Sequence, residues 1–160
     1  MELPKINCHI HSKFSDGSNN IDEIVKKSVK LSMDFISITD HLSNSWKSNL
    51  IPTLDNSIKI DTYLKAINKT NLYLEETNQK LRLLKGVEID ISSDKQYILR
   101  LINPKEFNII LFEYVESYEG LAFVSNIINY WRRSIKKEIK LPLFGLAHLE
   151  PSYFYYGNWG

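Results

Sequence analysis

All four histidines of the chain lie at positions where a metal ligand would be useful. His9 and His11 are two residues apart in N-C-H-I-H-S, His41 follows Asp40 in I-T-D-H, and His148 ends F-G-L-A-H. Each stands at the end of a short apolar run, whereas unrelated histidines are normally scattered along a chain. Imidazole is a common ligand of transition metals. The pattern therefore predicts one shared metal centre.

Carboxylates accompany these histidines near the ends of predicted strands. Side chains alternate along a strand, so His9 and His11 should leave the same face, as should Glu88 and Asp90. The carboxyl ends of parallel strands meet at one rim, where these side chains would converge with His41. Imidazole and carboxylate ligands suit divalent Zn, Mn or Fe.

The elements that would position these residues alternate along the chain. Apolar runs predict strands, and apolar residues at helical spacing predict amphipathic helices. Predicted strands or strand-like apolar runs cover 5–11, 35–39, 82–91, 107–115 and 143–147, predicted helices cover 21–31, 58–79 and 121–140, and 96–102 resembles a weak hairpin. This alternation predicts right-handed crossovers and an α/β fold with a mainly parallel sheet and flanking helices.

Composition narrows the class of protein. The chain has 160 residues, 43% of them hydrophobic, which is enough for a single domain with its own core. The net charge of +1 indicates no long-range attraction to nucleic acid, although a local basic patch could still contact it. The single cysteine excludes an internal disulfide, and neither a signal peptide nor a membrane span is evident. We expect a cytoplasmic protein.

Several of these segments together resemble a known family. The stretch N-C-H-I-H-S-K-F-S-D-G at 7–17 is similar to the opening H-x-H signature of the PHP (polymerase and histidinol phosphatase) superfamily of metal-dependent phosphoesterases. I-S-I-T-D-H at 36–41, G-V-E-I-D at 86–90 and L-A-H at 146–148 resemble its later motifs in the same order. The resemblance covers about residues 5–150, so 1–160 is identified as a single PHP-like domain.

The resemblance implies an α/β fold of a particular kind, an incomplete, distorted (β/α)7 TIM-like barrel with two or more divalent metals at its rim. It also implies hydrolysis of a phosphate ester, a small phosphomonoester or a nucleotide, by metal-activated hydroxide. Asp40 and His41 are the implied catalytic residues, with Asp40 expected to lie behind the ligands. The implied metal ligands are His9, His11, Asp16, His41, Glu88 and His148.

Each weaker ligand also has a plainer interpretation. Asp16 lies in a turn, where its side chain could form an Asx motif. Glu88 alone would favour a structural ion pair. His148 alone could be a hydrogen-bonded histidine at the end of a strand.

Two departures from the family pattern bear on activity. A histidine is usual in the segment F-N-I-I-L-F-E-Y-V-E, where this chain offers carboxylates, so Glu113 is a possible replacement ligand. The family's later D-x-H motif does not occur before Gly160, which suggests a domain lacking its C-terminal part. A metal-binding but catalytically incompetent domain with a regulatory or interaction role is therefore the alternative function.

The remaining expectations concern partners. Lys13 and Arg100, together with Lys47, are candidate residues for contacting a phosphate group. The aromatic tail at 153–159 either walls a substrate pocket or is uncovered core, and an open barrel edge could then lead to a homo-oligomer.

Overall fold

Six parallel strands form the sheet on which the rest of the chain packs. The computed structural model describes residues 3–135 and 140–148. Its strands are β1 (Ile6–Ile10), β2 (Phe35–Ile38), β3 (His41–Leu42), β4 (Arg82–Asp90), β5 (Ile109–Glu113) and β6 (Leu143–Leu146). Its helices are α1 (Ile21–Lys30), α2 (Ser57–Glu76), α3 (Lys95–Leu101) and α4 (Tyr118–Ser134), with 3₁₀ turns at Trp46–Asn49 and Pro104–Glu106.

The strand order brings the predicted rim together. It runs β1-β2-β4-β5-β6, and β3 pairs with β4 beyond the end of β2. Residues His41 and Leu42 of β3 lie beside Glu88 and Ile89 of β4, in register. Each of β1, β2, β4 and β5 is followed by a helix, so the sheet curls into a half-barrel with flanking helices. This arrangement confirms the predicted α/β class and the incomplete TIM-like barrel.

The helices begin where the sequence supplies capping side chains. At the start of α1, Asn20 Oδ1 accepts from the Glu23 N–H at 2.9 Å, and the Glu23 carboxylate accepts from the Asn20 N–H at 2.9 Å. This reciprocal capping box satisfies backbone donors that a helix leaves without partners. Asn56, Asp94 and Ser117 cap the other three helices.

The core lies between the sheet and its helices. Ile36, Ile38, Val87, Ile89, Ile110 and Phe112 of the strands are fully buried. From α2, Tyr63 is fully buried as well, and its hydroxyl lies 2.8 Å from the Ile38 carbonyl and 2.9 Å from the Gly86 carbonyl. A Cβ at Gly86 would stand 2.4 Å from Ser37 Oγ, so β2 and β4 leave no space for a side chain there.

Most predicted elements are confirmed with shifted ends, and one is wrong. The run 96–102 is helix α3 and not a hairpin, because Asp94 accepts from the Tyr97 N–H at 2.8 Å and starts a helix. Tyr97 and Ile98 are buried on its inner side. The short strand β3 was not predicted, and the helix predicted for 121–140 begins at Tyr118 and ends at Ser134. Residues 136–139 and the aromatic tail at 153–159 lie outside the described residues.

Candidate metal centre

The end of β1 carries two imidazoles that converge. His9 is on β1, His11 follows directly after it, and their Nε2 atoms are 2.9 Å apart. Both nitrogens also face Glu88 Oε2, at 3.1 Å from His9 and 2.8 Å from His11. The alternation of side chains along β1 therefore points both rings toward the same carboxylate, as the sequence predicted.

Glu88 is the central carboxylate of the cluster. It is fully buried on β4, and its Oε2 atom also lies 3.3 Å from His41 Nδ1. Its other oxygen, Oε1, has no hydrogen-bond partner among the described residues. A buried carboxylate oxygen without a partner is costly unless a cation or a proton donor reaches it.

His41 connects the centre to two further carboxylates. Its ring is buried, with Nε2 at 3.7 Å from Asp16 Oδ1 and Nδ1 at 3.1 Å from Glu113 Oε1. Asp16 Oδ1 also lies 2.7 Å from His11 Nδ1. Asp16 therefore turns its carboxylate toward the histidines, and a purely local Asx motif does not account for its position.

Glu113 ends β5 and is paired with a lysine. The Lys47 ammonium lies 2.7 and 2.6 Å from the two carboxylate oxygens of Glu113 and 3.5 Å from His41 Nδ1. Both members of this pair are buried. The ammonium also stands 4.7 Å from the centre of the Tyr114 ring. Burial lowers the pKa of Lys47, but the hydrogen bonds to Glu113 outweigh this and raise it, so the lysine is held as a cation.

His148 approaches the centre from the end of β6. Its Nε2 lies 3.5 Å from Glu88 Oε1, and its ring centre is 4.9 Å from that of His9. Its side chain is 67% exposed, unlike that of His41. The geometry brings His148 to the open side of the cluster.

Two aspartates next to the rim hold loops. Asp40 is fully buried and accepts hydrogen bonds from the Ser12 N–H at 2.8 Å, from Ser12 Oγ at 2.6 Å and from Ser15 Oγ at 2.5 Å. Asp90 accepts from the hydroxyl groups of Ser43, Ser45 and Ser92. Although burial raises the pKa of Asp90, these hydroxyl groups lower it overall.

The close contacts shift the acidity of the ligand atoms. Burial alone would lower the pKa of His11, but hydrogen bonds to Glu88 and Asp16 raise it to about 9. Burial alone would raise the pKa of Glu88, but hydrogen bonds with His11 and His9 hold it well below its usual range. The pKa of Asp16 is lowered for the same reason, by His11. Hydrogen bonds between imidazoles and carboxylates therefore hold these side chains together.

Three overlapping groups of side chains could each hold a metal ion, with ligand atoms within 4.8 Å of one another. They are His9, His11 and Glu88; His11, Asp16 and His41; and His41, Glu88 and Glu113. They border an open cavity of about 570 Å³, lined by His9, His11, Asp16, His41, Lys47, Glu113, Tyr114, Glu116 and His148. A cavity of this volume is in the range of small-molecule sites.

Comparison of the sequence with known families agrees with this geometry. Residues 7–155, which carry every side chain of the cluster, match the PHP domain family. The chain belongs to the PHP domain family.

The fold of this PHP domain is similar to that of a candidate histidinol phosphatase from Listeria monocytogenes, known from its crystal structure. The two share 18% sequence identity and a TM-score of 0.55 over 68% of this chain and 44% of that protein. This PHP domain thus spans less than half the length of that relative, and the likeness concerns the fold. No curated protein matches the sequence.

The structure does not bring every predicted residue to the PHP domain's cavity. Of the described lysines and arginines, Lys47 lines it, whereas Lys13 and Arg100 do not. Lys13 is exposed in the turn after β1, and Arg100 is exposed in the last turn of α3. The prediction that Lys13 and Arg100 contact a phosphate therefore has no geometric support.

Some residues of the site were missed in the sequence. Ser12 and Ser15 lie inside the H-S-K-F-S-D-G segment, so their position between two ligands was the signal that could have found them. Tyr114 and Glu116, which follow Glu113 after the end of β5, also line the cavity.

In the part of the chain that is described, no helix is both long and apolar enough to cross a membrane.

Proposed function

We propose that this chain is a metal-dependent phosphoesterase. The observation that carries the proposal is Glu88, a buried carboxylate with three imidazole nitrogens within 3.3 Å of one oxygen. Its other oxygen has no hydrogen-bond partner among the described residues and lies 3.5 Å from His148 Nε2. Membership of the PHP domain family supports the assignment. The proposed metal ligands are His9, His11, Asp16, His41, Glu88 and His148. Glu113, the replacement ligand suggested by the sequence, completes one of the three groups that could hold an ion.

The donor set suits divalent cations. Imidazole nitrogens and carboxylate oxygens together accept Zn, Mn or Fe, and the described residues bring no cysteine to the cluster. A bound ion would neutralise the charge of Glu88 and satisfy its Oε1 atom, which has no hydrogen-bond partner among the described residues. When bound, such metals lower the pKa of water and stabilise negative charge on phosphoryl oxygens.

The chain's own side chains would position the reaction. His41 is buried between two carboxylates, so its ring is held at a fixed orientation at the base of the cavity. Asp40, which the sequence suggested as catalytic, would act by holding the loop that carries His11 and Asp16, because its oxygens accept from Ser12 and Ser15. The cavity volume suits a small phosphomonoester or a nucleotide.

The first test of the proposal is metal content. We expect the purified protein to retain at least one equivalent of Zn, Mn or Fe, and the double variant His9→Ala/His11→Ala to retain none. Lys65→Ala/Lys69→Ala, on the exposed face of α2, is the matched control. Equal metal content in the two double variants would contradict the assignment of the ligands.

The second test is turnover. p-Nitrophenyl phosphate and 5′-mononucleotides would be assayed with added Mn, Zn or Mg, and we expect slow hydrolysis that disappears in His41→Ala. Loss of one electrostatic contribution to a transition state typically costs about 10²–10³ in rate. Metal binding without turnover on any phosphoester would favour the alternative, a metal-binding domain without catalysis.

That alternative is also supported by an observation. Both carboxylate oxygens of Glu113 accept hydrogen bonds from the Lys47 ammonium, so the charge of one carboxylate of the cluster is already neutralised. A regulatory or interaction domain could keep such a pair without loss of function. The class of substrate, the cytoplasmic location and the formation of a homo-oligomer are not tested by the structure and stay predictions.

A further inference from the structure

Lys47 is the buried amine of this cluster, and its position is determined by local structure. It lies in the 3₁₀ turn Trp46–Asn49, in the loop that follows β3, and is 7% exposed. The turn is anchored to the rim, because Ser45 and Ser43 donate their hydroxyl groups to Asp90. The Lys47 side chain therefore enters the cavity from a fixed point.

The ammonium of Lys47 stands where a metal ion would need its ligands. Of the three groups that could hold an ion, the one formed by His41, Glu88 and Glu113 uses side chains that Lys47 contacts. Lys47 Nζ is within 2.7 Å of both Glu113 oxygens and 3.5 Å from His41 Nδ1. A divalent ion on the same atoms would lie within a few ångströms of a positive charge in a buried place, where repulsion between like charges is weakly screened.

The other two groups both include His11 and lie farther from the ammonium, because Lys47 has no hydrogen bond to His9, His11 or Asp16 among the described contacts. The group of His11, Asp16 and His41 shares only His41 with Lys47, which contacts ring nitrogen Nδ1, whereas Asp16 faces the other ring nitrogen, Nε2, at 3.7 Å. The carboxylates of Glu88 and Asp16 face imidazoles there.

We propose that Lys47 takes the place of a metal ion at Glu113, so that metal ions bind only in the groups that include His11 and Glu113 is not a ligand. The inference rests on the proposed metal centre and adds a role for one residue within it. Lys47 acts as a built-in cation that sets how many ions the centre accepts.

The test is the number of Mn²⁺ ions bound per chain, measured by elemental analysis after equilibrium dialysis against Mn²⁺ alone. We expect Lys47→Met to bind one more equivalent than the unchanged protein, because the Glu113 carboxylate becomes available. The double variant Lys47→Met/Glu113→Gln should return to the original count. Lys59→Met is the matched control, since Lys59 is also paired with a carboxylate, that of Asp55 at 2.7 Å, but on the exposed surface.

A second readout covers the case in which Lys47→Met leaves the Glu113 carboxylate buried without its lysine and the variant unfolds. Glu113→Gln in the otherwise unchanged protein should keep the original Mn²⁺ count. A lower count in Glu113→Gln, or equal counts in a folded Lys47→Met and the unchanged protein, would overturn the inference and leave the proposed function standing. Failure of the unchanged protein to bind any Mn²⁺, Zn²⁺ or Fe²⁺ would instead contradict the metal centre and the inference with it.

Discussion

Ser12 gives both of its hydrogen-bond donors to Asp40: its N–H lies 2.8 Å from Oδ1 and its hydroxyl lies 2.6 Å from Oδ2. Both residues are fully buried. Ser12 directly follows His11, and Asp40 directly precedes His41. The pair therefore ties together the two backbone segments that present these imidazoles.

Ser12→Ala should destabilise the protein and loosen the metal centre. The substitution leaves Asp40 Oδ2 buried without its donor, and an unsatisfied buried group costs about 1–3 kcal/mol of unfolding free energy. Urea unfolding followed by tryptophan fluorescence measures this cost. The exposed Ser18→Ala is the control, and equal midpoints for the two variants would contradict the structural role of the pair.

Gly17→Ala should distort the turn that carries Asp16. A Cβ at Gly17 would lie 2.2 Å from the His11 carbonyl oxygen and 2.7 Å from the Ser12 nitrogen, and backbone atoms have little freedom to move away. Such overpacking typically costs about 1–3 kcal/mol. We expect a lower melting temperature and weaker metal retention, both measurable on one preparation.

Gly120→Ala is the contrasting substitution for that experiment. Its Cβ would meet the end of the Ile91 side chain at 3.0 Å, and a side chain can rotate away. A smaller loss of stability than in Gly17→Ala is expected. The reverse order would show that the close approach at Gly17 is relieved at low cost.

Asp90 should contribute to stability above acidic pH. Hydrogen bonds from Ser45, Ser92 and Ser43 lower its pKa in the folded protein despite burial. A carboxyl with a lowered folded pKa stabilises the fold at pH above its unfolded pKa of about 3.9, and this contribution is lost as the pH falls through the folded value.

Asp90→Asn tests this pH dependence. The difference in unfolding free energy between the variant and the unchanged protein should be largest near neutral pH and shrink as the pH is lowered toward 3. Asp61→Asn, exposed on α2, should show no such trend. A difference that stays constant with pH would mean that the charge of Asp90 is not what the serines stabilise.

Tyr63→Phe should weaken the contact between α2 and the sheet. The Tyr63 hydroxyl is buried between the carbonyl oxygens of Ile38 and Gly86, which belong to neighbouring strands. Its loss leaves buried acceptors with one donor fewer, at about 1–3 kcal/mol. Thermal unfolding of Tyr63→Phe beside the half-exposed Tyr73→Phe measures the effect. Equal melting temperatures would contradict it.

The sequence by itself determined the class of fold and which histidines and carboxylates meet. Strand side chains alternate with a period of two, so the spacing of His9 and His11 was enough to place both rings on one face. Parallel strands share a rim, which was enough to bring Glu88 and His41 to that face. Both inferences use regular backbone geometry, and local sequence encodes such geometry directly.

The secondary structure of short segments was harder to predict from the local pattern of apolar residues. The run at 96–102 is apolar enough for a strand or a helix, and the side chain of Asp94 together with burial of Tyr97 and Ile98 made it α3. A short apolar run has no clear period, so its partners in the fold decide its structure.

Only the tertiary structure decided how the charges of the site are paired. Lys47 and Glu113 are 66 positions apart, and neither lies in a pattern that predicts the other. Lys13 and Arg100 were equally reasonable phosphate contacts by charge, yet both are exposed outside the cavity. The loop after β3 carries Lys47 across the rim to the buried carboxylate of Glu113. The path of that loop is set by its contacts with Asp90 and β5, and the spacing of residues along the chain does not predict it.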